Sequence, residues 1–217
     1  MEETLMKEKI EDYKCLVKAL NEGEILYYHK LCLSLEEAAK YTGIGIHNNV
    51  VFVGKDDKGQ PRYAAFRGAN ASRVMGDCSG SDKHYSFRLI NPDSRSVHVF
   101  ESAIDALSYA TLIQLNGGDY KTESLVSLAG VYSPGTDGTG KTPSSLEMLL
   151  KNNPKIERIY LHLDNDAAGR NATRVIQNNL SSKYKIVDSP PRFGKDINDY
   201  LCHKLGIQPH RKRSIER

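Results

Sequence analysis

The sequence predicts an α/β protein, a compact Rossmann-like parallel sheet of about four strands preceded by a small α+β accessory domain. Three observations carry this expectation. From Val97 onward, short apolar runs and helix-forming stretches alternate as β-α-β-α-β-α-β, the order produced by parallel sheets with right-handed crossovers. The runs are short, apolar throughout and bounded by turn signals, as strands buried on both faces are. Before Val97 the pattern is instead that of a hairpin and a Gly/Ser/Asn-rich stretch.

In chain order, Met6, Ile10, Tyr13, Val17 and Leu20 recur at four-three spacing, the stripe of an amphipathic helix with an acidic outer face packing on its own domain. Ser34 with Glu37 makes a capping box, opening a short helix that Gly43 ends. Val50–Val53 and Arg62–Phe66, joined by a long polar turn, read as a hairpin. Residues Arg67–Ser81 read as a loop, and His84–Arg88 as a strand with Tyr85 and Phe87 on one face. The core follows: strand Val97–Phe100, helix Ala103–Leu115, strand Leu125–Leu128, helix Ser144–Lys151, strand Ile159–Leu163, helix Ala167–Leu180 and strand Tyr184–Val187. Pro190-Pro191 cannot continue a ladder and marks its end. The chain thus divides into an accessory domain over 1–95, a core over 96–190, and an extension over 191–217 with a basic tail at His210–Arg213.

Two strands run straight into acid, Val97–Phe100 into Glu101 and Ile159–Leu163 into Asp164-Asn165-Asp166. In an open parallel sheet, ligands bind beyond the carboxyl ends of the strands. If the two strands are parallel neighbours, Glu101, Asp164 and Asp166 project from one edge, and three carboxylates repel unless a cation sits among them. Hard oxygen ligands suit Mg2+ (or Mn2+), which keeps waters and bridges to phosphate. The plainer reading is that Asn165 or Asp166 caps the following helix and Glu101 complements a helix dipole; acid at the same edge of two strands tips the balance to a metal.

Two further signals concern phosphate. Arg67, Arg73, Lys83, His84 and Arg88, interleaved with Tyr85 and Phe87, form the main basic band before the core. It is either a surface that tracks a nucleic-acid strand by charge and stacking or a solvated strand face. Gly135–Thr142, GTDGTGKT, matches the phosphate-cradling G-x-x-x-x-G-K-T pattern letter for letter, which would make the chain a P-loop NTPase. Its context is poor: a P-loop follows its strand directly, whereas Val131-Tyr-Ser-Pro intervenes, too few strands follow, and Glu101 has no part in it. A Gly-rich surface loop is the expectation.

Glu at one strand end, then Asp-x-Asp-x-x-Gly at the end of a later strand, resembles the Toprim domain of bacterial primases, topoisomerases and small nucleases. The matching residues are Glu101, Asp105, Asp164, Asp166 and Gly169, and Gly194–Leu201, GKDINDYL, is similar to the stretch that follows the Toprim core in primases. The order VFESAIDALSY, SLAGVY, YLHLDNDAAGR, PPRFGKDINDYL resembles primase-like proteins of plasmids and integrative elements, in which a domain of unknown function precedes Toprim. The resemblance implies Mg2+-dependent chemistry on nucleic acid or nucleotide phosphates. That chemistry is primase-like nucleotidyl transfer, with a Toprim nuclease and a non-catalytic DNA-binding accessory as alternatives. It implies Asp164 and Asp166 as metal ligands and Glu101 as a further ligand or general acid/base. Asp105 supports them, Lys195 and Asp196 contact nucleotide or a second metal, and Arg170 holds phosphate. The implied partners are single-stranded DNA or nucleotides, with a relaxase, helicase or separate zinc-binding module.

Composition narrows this further. The net charge of +3 is mild, and 39% hydrophobic with 26% charged residues is ordinary for a soluble domain. No apolar run reaches a membrane span and there is no signal-peptide core, so a cytoplasmic protein without membrane contact is expected. Cys15, Cys32, Cys78 and Cys202 include no C-x-x-C pair, which argues against a zinc module and fits reduced thiols.

Overall fold

The computed structural model describes residues 49–68, 75–78, 80–131 and 138–207. The two helices expected before residue 49, Arg73 and the basic tail lie outside them. Strands β1 (Asn49–Lys55), β2 (Pro61–Gly68) and β3 (Met75–Asp77) form an antiparallel sheet in that order. The hairpin turn is tight because the Asp56 carboxylate accepts from the Lys58 and Gln60 amides and from Arg62 Nε, while Gly59 adopts φ +75°. Met75–Asp77 falls within the stretch expected to be loop. Its strand character comes from pairing with Ala65–Arg67, which a three-residue segment does not announce.

The second sheet has the order β4-β6-β5-β7-β8, from β4 (Arg88–Leu89), β5 (Ser96–Phe100), β6 (Ser124–Ser127), β7 (Arg158–Leu161) and β8 (Lys185–Asp188). β5 to β8 are the four parallel strands the sequence predicts, and β4 adds an antiparallel edge on β6. The strand expected over His84–Arg88 is a correction. Lys83–Tyr85 is a 3-10 turn because the Asp82 carboxylate accepts from the His84 amide at 3.0 Å, and only Arg88 and Leu89 reach the sheet.

Helices α1 (Ala103–Leu115), α2 (Ser144–Asn152), α3 (Ala167–Leu180) and α4 (Ile197–Lys204) cover the two faces. Alternation along the strands sorts the core. Phe100 and Leu125 pack with Ala106, Leu107 and Ala110 of α1 and Leu201 of α4. Val97, Val99, Val126, Ile159, Leu161 and Leu163 pack with Leu146 and Leu149 of α2 and Ala172 and Ile176 of α3. The small sheet closes on the core at Gly54, where an added Cβ would lie 1.6 Å from the Tyr85 carbonyl oxygen. Asn152 Nδ2 of α2 also donates to Asp57 of the hairpin turn at 2.9 Å. Among the described residues no helix is long and apolar enough to cross a membrane.

Candidate active site

β5 and β7 are hydrogen-bonded parallel neighbours at the sheet centre, in register from Ser96↔Arg158 to Val99↔Leu161. They therefore deliver Glu101 and Asp164 to the same edge, as the sequence predicts. Asp164 is buried, whereas Glu101 is half-buried with its Oε2 atom enclosed and without a hydrogen-bond partner. Burial, reinforced by the charges of Asp164 and Asp166 and opposed by Lys195, pushes the Glu101 carboxyl up to about 7.

Asp166 is a helix cap with one oxygen turned to a cationic side chain. Its Oδ1 caps α3 by accepting from the Gly169 amide at 3.0 Å, and its Oδ2 faces Lys195 Nζ at 3.0 Å. The Gly169 amide and Lys195 together hold it below the usual carboxylate range. Lys195 Nζ also stands 3.0 Å from Asp164 Oδ2, yet burial outweighs that attraction and raises Asp164. The two aspartates raise the Lys195 ammonium in turn. Gly169 is required by the close approach of α3 to the strand end, since a Cβ there would fall 2.2 Å from the Asp164 carbonyl oxygen.

The supporting residues divide by what they touch. Asp105, in the first turn of α1, is buried; Ser102 Oγ donates to it at 2.6 Å and the Asn198 amide at 3.3 Å, which ties α1 to α4. Burial first, and then the Asp196 charge, raises it to about 7. Asp196 caps α4, its Oδ1 accepting from the Asp199 amide at 2.7 Å, and burial raises it. Arg170, expected to hold phosphate, makes its contacts here within the protein. It donates to the Leu163 carbonyl at 2.8 Å and the Asp164 carbonyl at 3.2 Å, and its Nη1 pairs with Asp188 at 3.0 Å, joining the ends of β7 and β8.

The basic band is engaged as well. Lys83 pairs with Asp77 at 3.1 Å and donates to the Ala129 carbonyl, while His84 Nδ1 lies 2.7 Å from Asp82. Arg88 turns inward to the Ser86 and His84 carbonyls, and burial lowers its pKa. Arg67 lines a cleft of about 230 Å³ between the small sheet and the core, whose other wall includes Ser102 and Gly130 beside Glu101. Of the P-loop match, residues 138–142 are described, and they are stitched to α3. The Gly138 amide donates to Asn171, Asn178 Nδ2 donates to the Gly138 carbonyl, and Asn179 Nδ2 donates to the Gly140 carbonyl and the Thr142 hydroxyl. Thr142 is buried, so its hydroxyl is not presented to a phosphate-bound metal.

Sequence reasoning missed a buried histidine pair under α1. His98 Nδ1 lies 2.9 Å from His162 Nε2, and His162 Nδ1 meets the Ser189 carbonyl at 2.8 Å. Their rings stack between Tyr160, Tyr109 and Phe100. Burial lowers both, to about 4 for His98 and about 3 for His162. The available signal was the alternation Tyr160, His162 against Ile159, Leu161, Leu163, which places His162 on an inward face.

The donors fit a divalent ion in kind: hard oxygens, one of them buried and unpartnered, and two more already facing one cation. As the side chains stand, no group of three His, Cys, Asp or Glu among the described residues forms a ready-made cage, and the cation that Asp164 and Asp166 face is Lys195.

Comparison with known proteins agrees with this architecture. A model of a Toprim-like family matches residues 98–201, and a model of a family of unknown function (DUF3991) matches residues 19–92. An uncharacterized protein of Bacillus anthracis, pXO2-78, is 29% identical over 124 residues, covering 49% of this chain and 34% of that protein. The chain thus matches about a third of that relative's length. Among solved structures, the E. coli primase catalytic core superposes with a TM-score of 0.51 at 13% identity, over 94% of this chain and 68% of that one. A DnaG catalytic core does so with a TM-score of 0.51 at 14% identity, over 91% and 68%. Both likenesses are of fold.

Proposed function

Since residues 98–201 of this chain are a Toprim-like domain preceded by a DUF3991 segment, we propose that it carries out Mg2+-dependent, primase-like nucleotidyl transfer on nucleic acid or nucleotide phosphates. The setting we propose is a mobile element in the cytoplasm. The observation that carries the reading is the meeting of Glu101, Asp164 and Asp166 at one sheet edge, with Glu101 Oε2 buried and unpartnered. Asp164 and Asp166 would hold the ion, with Glu101 beside them. The ion, when bound, supplies charge neutralisation at the reacting phosphate.

The remaining roles belong to the chain itself. A carboxyl near 7 is poised to take a proton from an attacking hydroxyl at neutral pH, and Glu101 is that group. Asp166 is pinned by its cap and Asp164 by the buried strand end. The cleft lined by Arg67 and by Ser102, the residue after Glu101, is where a nucleotide or single strand would enter.

The test incubates the protein with primed and unprimed single-stranded DNA, nucleotides and Mg2+ or Mn2+, and reads both extension and cleavage. Extension lost in Glu101→Gln and retained in Lys141→Ala is the expected result. Cleavage without extension makes the same site a nuclease. Loss in Lys141→Ala with Glu101→Gln active returns the function to the GTDGTGKT loop. Strand binding without either reaction makes the chain an accessory.

A further inference from the structure

We propose that Lys195 is an exchangeable internal counter-ion. It holds the Asp164–Asp166 pair in the metal-free protein and must leave when a divalent cation enters, which frees its ammonium for the anionic substrate that arrives with the metal. This rests on the reading of the acidic edge as a metal site and concerns how that site is filled.

The geometry has two parts, a fixed base and a free stem. The base is held on both sides: the Lys195 carbonyl accepts from the Asn165 amide at 2.7 Å, and its amide donates to Asp199 Oδ2 at 2.9 Å. Gly194 makes the turn that delivers it, at φ +77°, where a Cβ would strike Asp199 Cβ at 2.4 Å. The side chain itself is 55% exposed and is held at its tip by the two aspartate oxygens, each at 3.0 Å. An ammonium on a four-carbon stem is a mobile point charge, so its departure disturbs no packing.

A divalent ion stands about 2.1 Å from its ligand oxygens, closer than the ammonium now stands to the same two atoms. Both cations cannot occupy that pair of oxygens, and at such separations their mutual repulsion is large. Metal entry and lysine retention therefore exclude one another. The released lysine stays tethered by its backbone bonds to Asn165 and Asp199, at the edge where the phosphate would lie. Lys195 also neutralises part of the charge that crowds Glu101.

The experiment measures Mn2+ binding to the full chain by titration calorimetry or by the free-Mn2+ resonance signal, without substrate, for wild type, Lys195→Met, Lys195→Arg and Asp164→Asn. Circular dichroism confirms the fold of each. Competition predicts that Lys195→Met binds Mn2+ about five- to fiftyfold more tightly than wild type. Lys195→Arg, which keeps a cation on the pair, should bind no more tightly than wild type, and Asp164→Asn should lose the site. Equal or weaker binding by folded Lys195→Met, with wild type binding normally, overturns the counter-ion role and leaves the metal site standing. No binding by wild type or Lys195→Met overturns the metal site and this inference with it. If Lys195→Met does not fold, Lys195→Gln replaces it on the same criterion.

Discussion

The crowding of carboxylates at the sheet edge has a thermodynamic consequence that Glu101→Gln isolates. In the folded protein Glu101 titrates near 7 rather than at 4.5, so folding favours the protonated acid. Stability from this group is fully present below pH 4.5 and is lost as pH rises through about 7. A shift of this size corresponds to roughly 3 kcal/mol when fully expressed. Glu101 retains solvent contact, and allowing for screening leaves about 1–2 kcal/mol. Gln copies the neutral acid in shape, and its amide hydrogens can donate to the neighbouring aspartates. The variant should therefore be more stable than wild type in chelator at pH 8, by about 2–8 °C in Tm, and nearly equal to it at pH 4.5. Saturating Mg2+ should narrow the gap, because an ion held by Asp164 and Asp166 would offset the charge that crowds ionised Glu101. The assay is denaturant unfolding from pH 4.5 to 8, with and without Mg2+. A Gln variant equal to or less stable than wild type at pH 8 in chelator would refute the crowding.

Other perturbations follow from the same geometry. Gly169→Ala puts a Cβ 2.2 Å from the Asp164 carbonyl oxygen, so it should cost about 1–3 kcal/mol and weaken Mn2+ binding by moving Asp164; unchanged binding would show that the strand end is less confined than drawn. The His98–His162 pair has depressed pKa values, so its stability is present above about 6.5 and falls as pH drops toward 4. His98→Phe should accordingly lose less stability than wild type between pH 7.5 and 5, and an equal loss would place the acid sensitivity elsewhere. Arg170→Ala removes bonds to two carbonyls and to Asp188 and should cost about 2–3 kcal/mol, without rescue by Lys, which lacks the fork.

The central strands were legible from sequence because parallel strands covered on both faces read as unbroken apolar runs, and Glu101 and Asp164 stand where those runs stop. Asp166 was legible as a cap candidate because Asp and Asn before a helix offer an oxygen to its first amides, and its other oxygen faces Lys195. What escaped was structure made by partners rather than by local pattern. Met75–Asp77 and Arg88–Leu89 are strands only through their neighbours β2 and β6. The alternation at His84–Arg88 was real as a string, but the Asp82 cap bent it into a 3-10 turn. The bonds from Arg170 to the Leu163 and Asp164 carbonyls were not legible, because phosphate and backbone carbonyls attract the same guanidinium. Lys195 sits in a segment whose position depends on the bond from the Asn165 amide, a contact no spacing reveals.

The adjacency of β5 and β7 also determines when the acidic edge comes into being. Glu101 and Asp164 are separated along the chain by α1, β6 and α2, and they meet only when β7 docks beside β5. Such a non-local parallel pairing is slow to form, because the intervening chain must be closed before any contact rewards it. No nascent or clipped chain that lacks β7 holds the three carboxylates together. Assembly of the sheet thus acts as a timer, and the acids come under mutual repulsion only once the scaffold that confines them is complete.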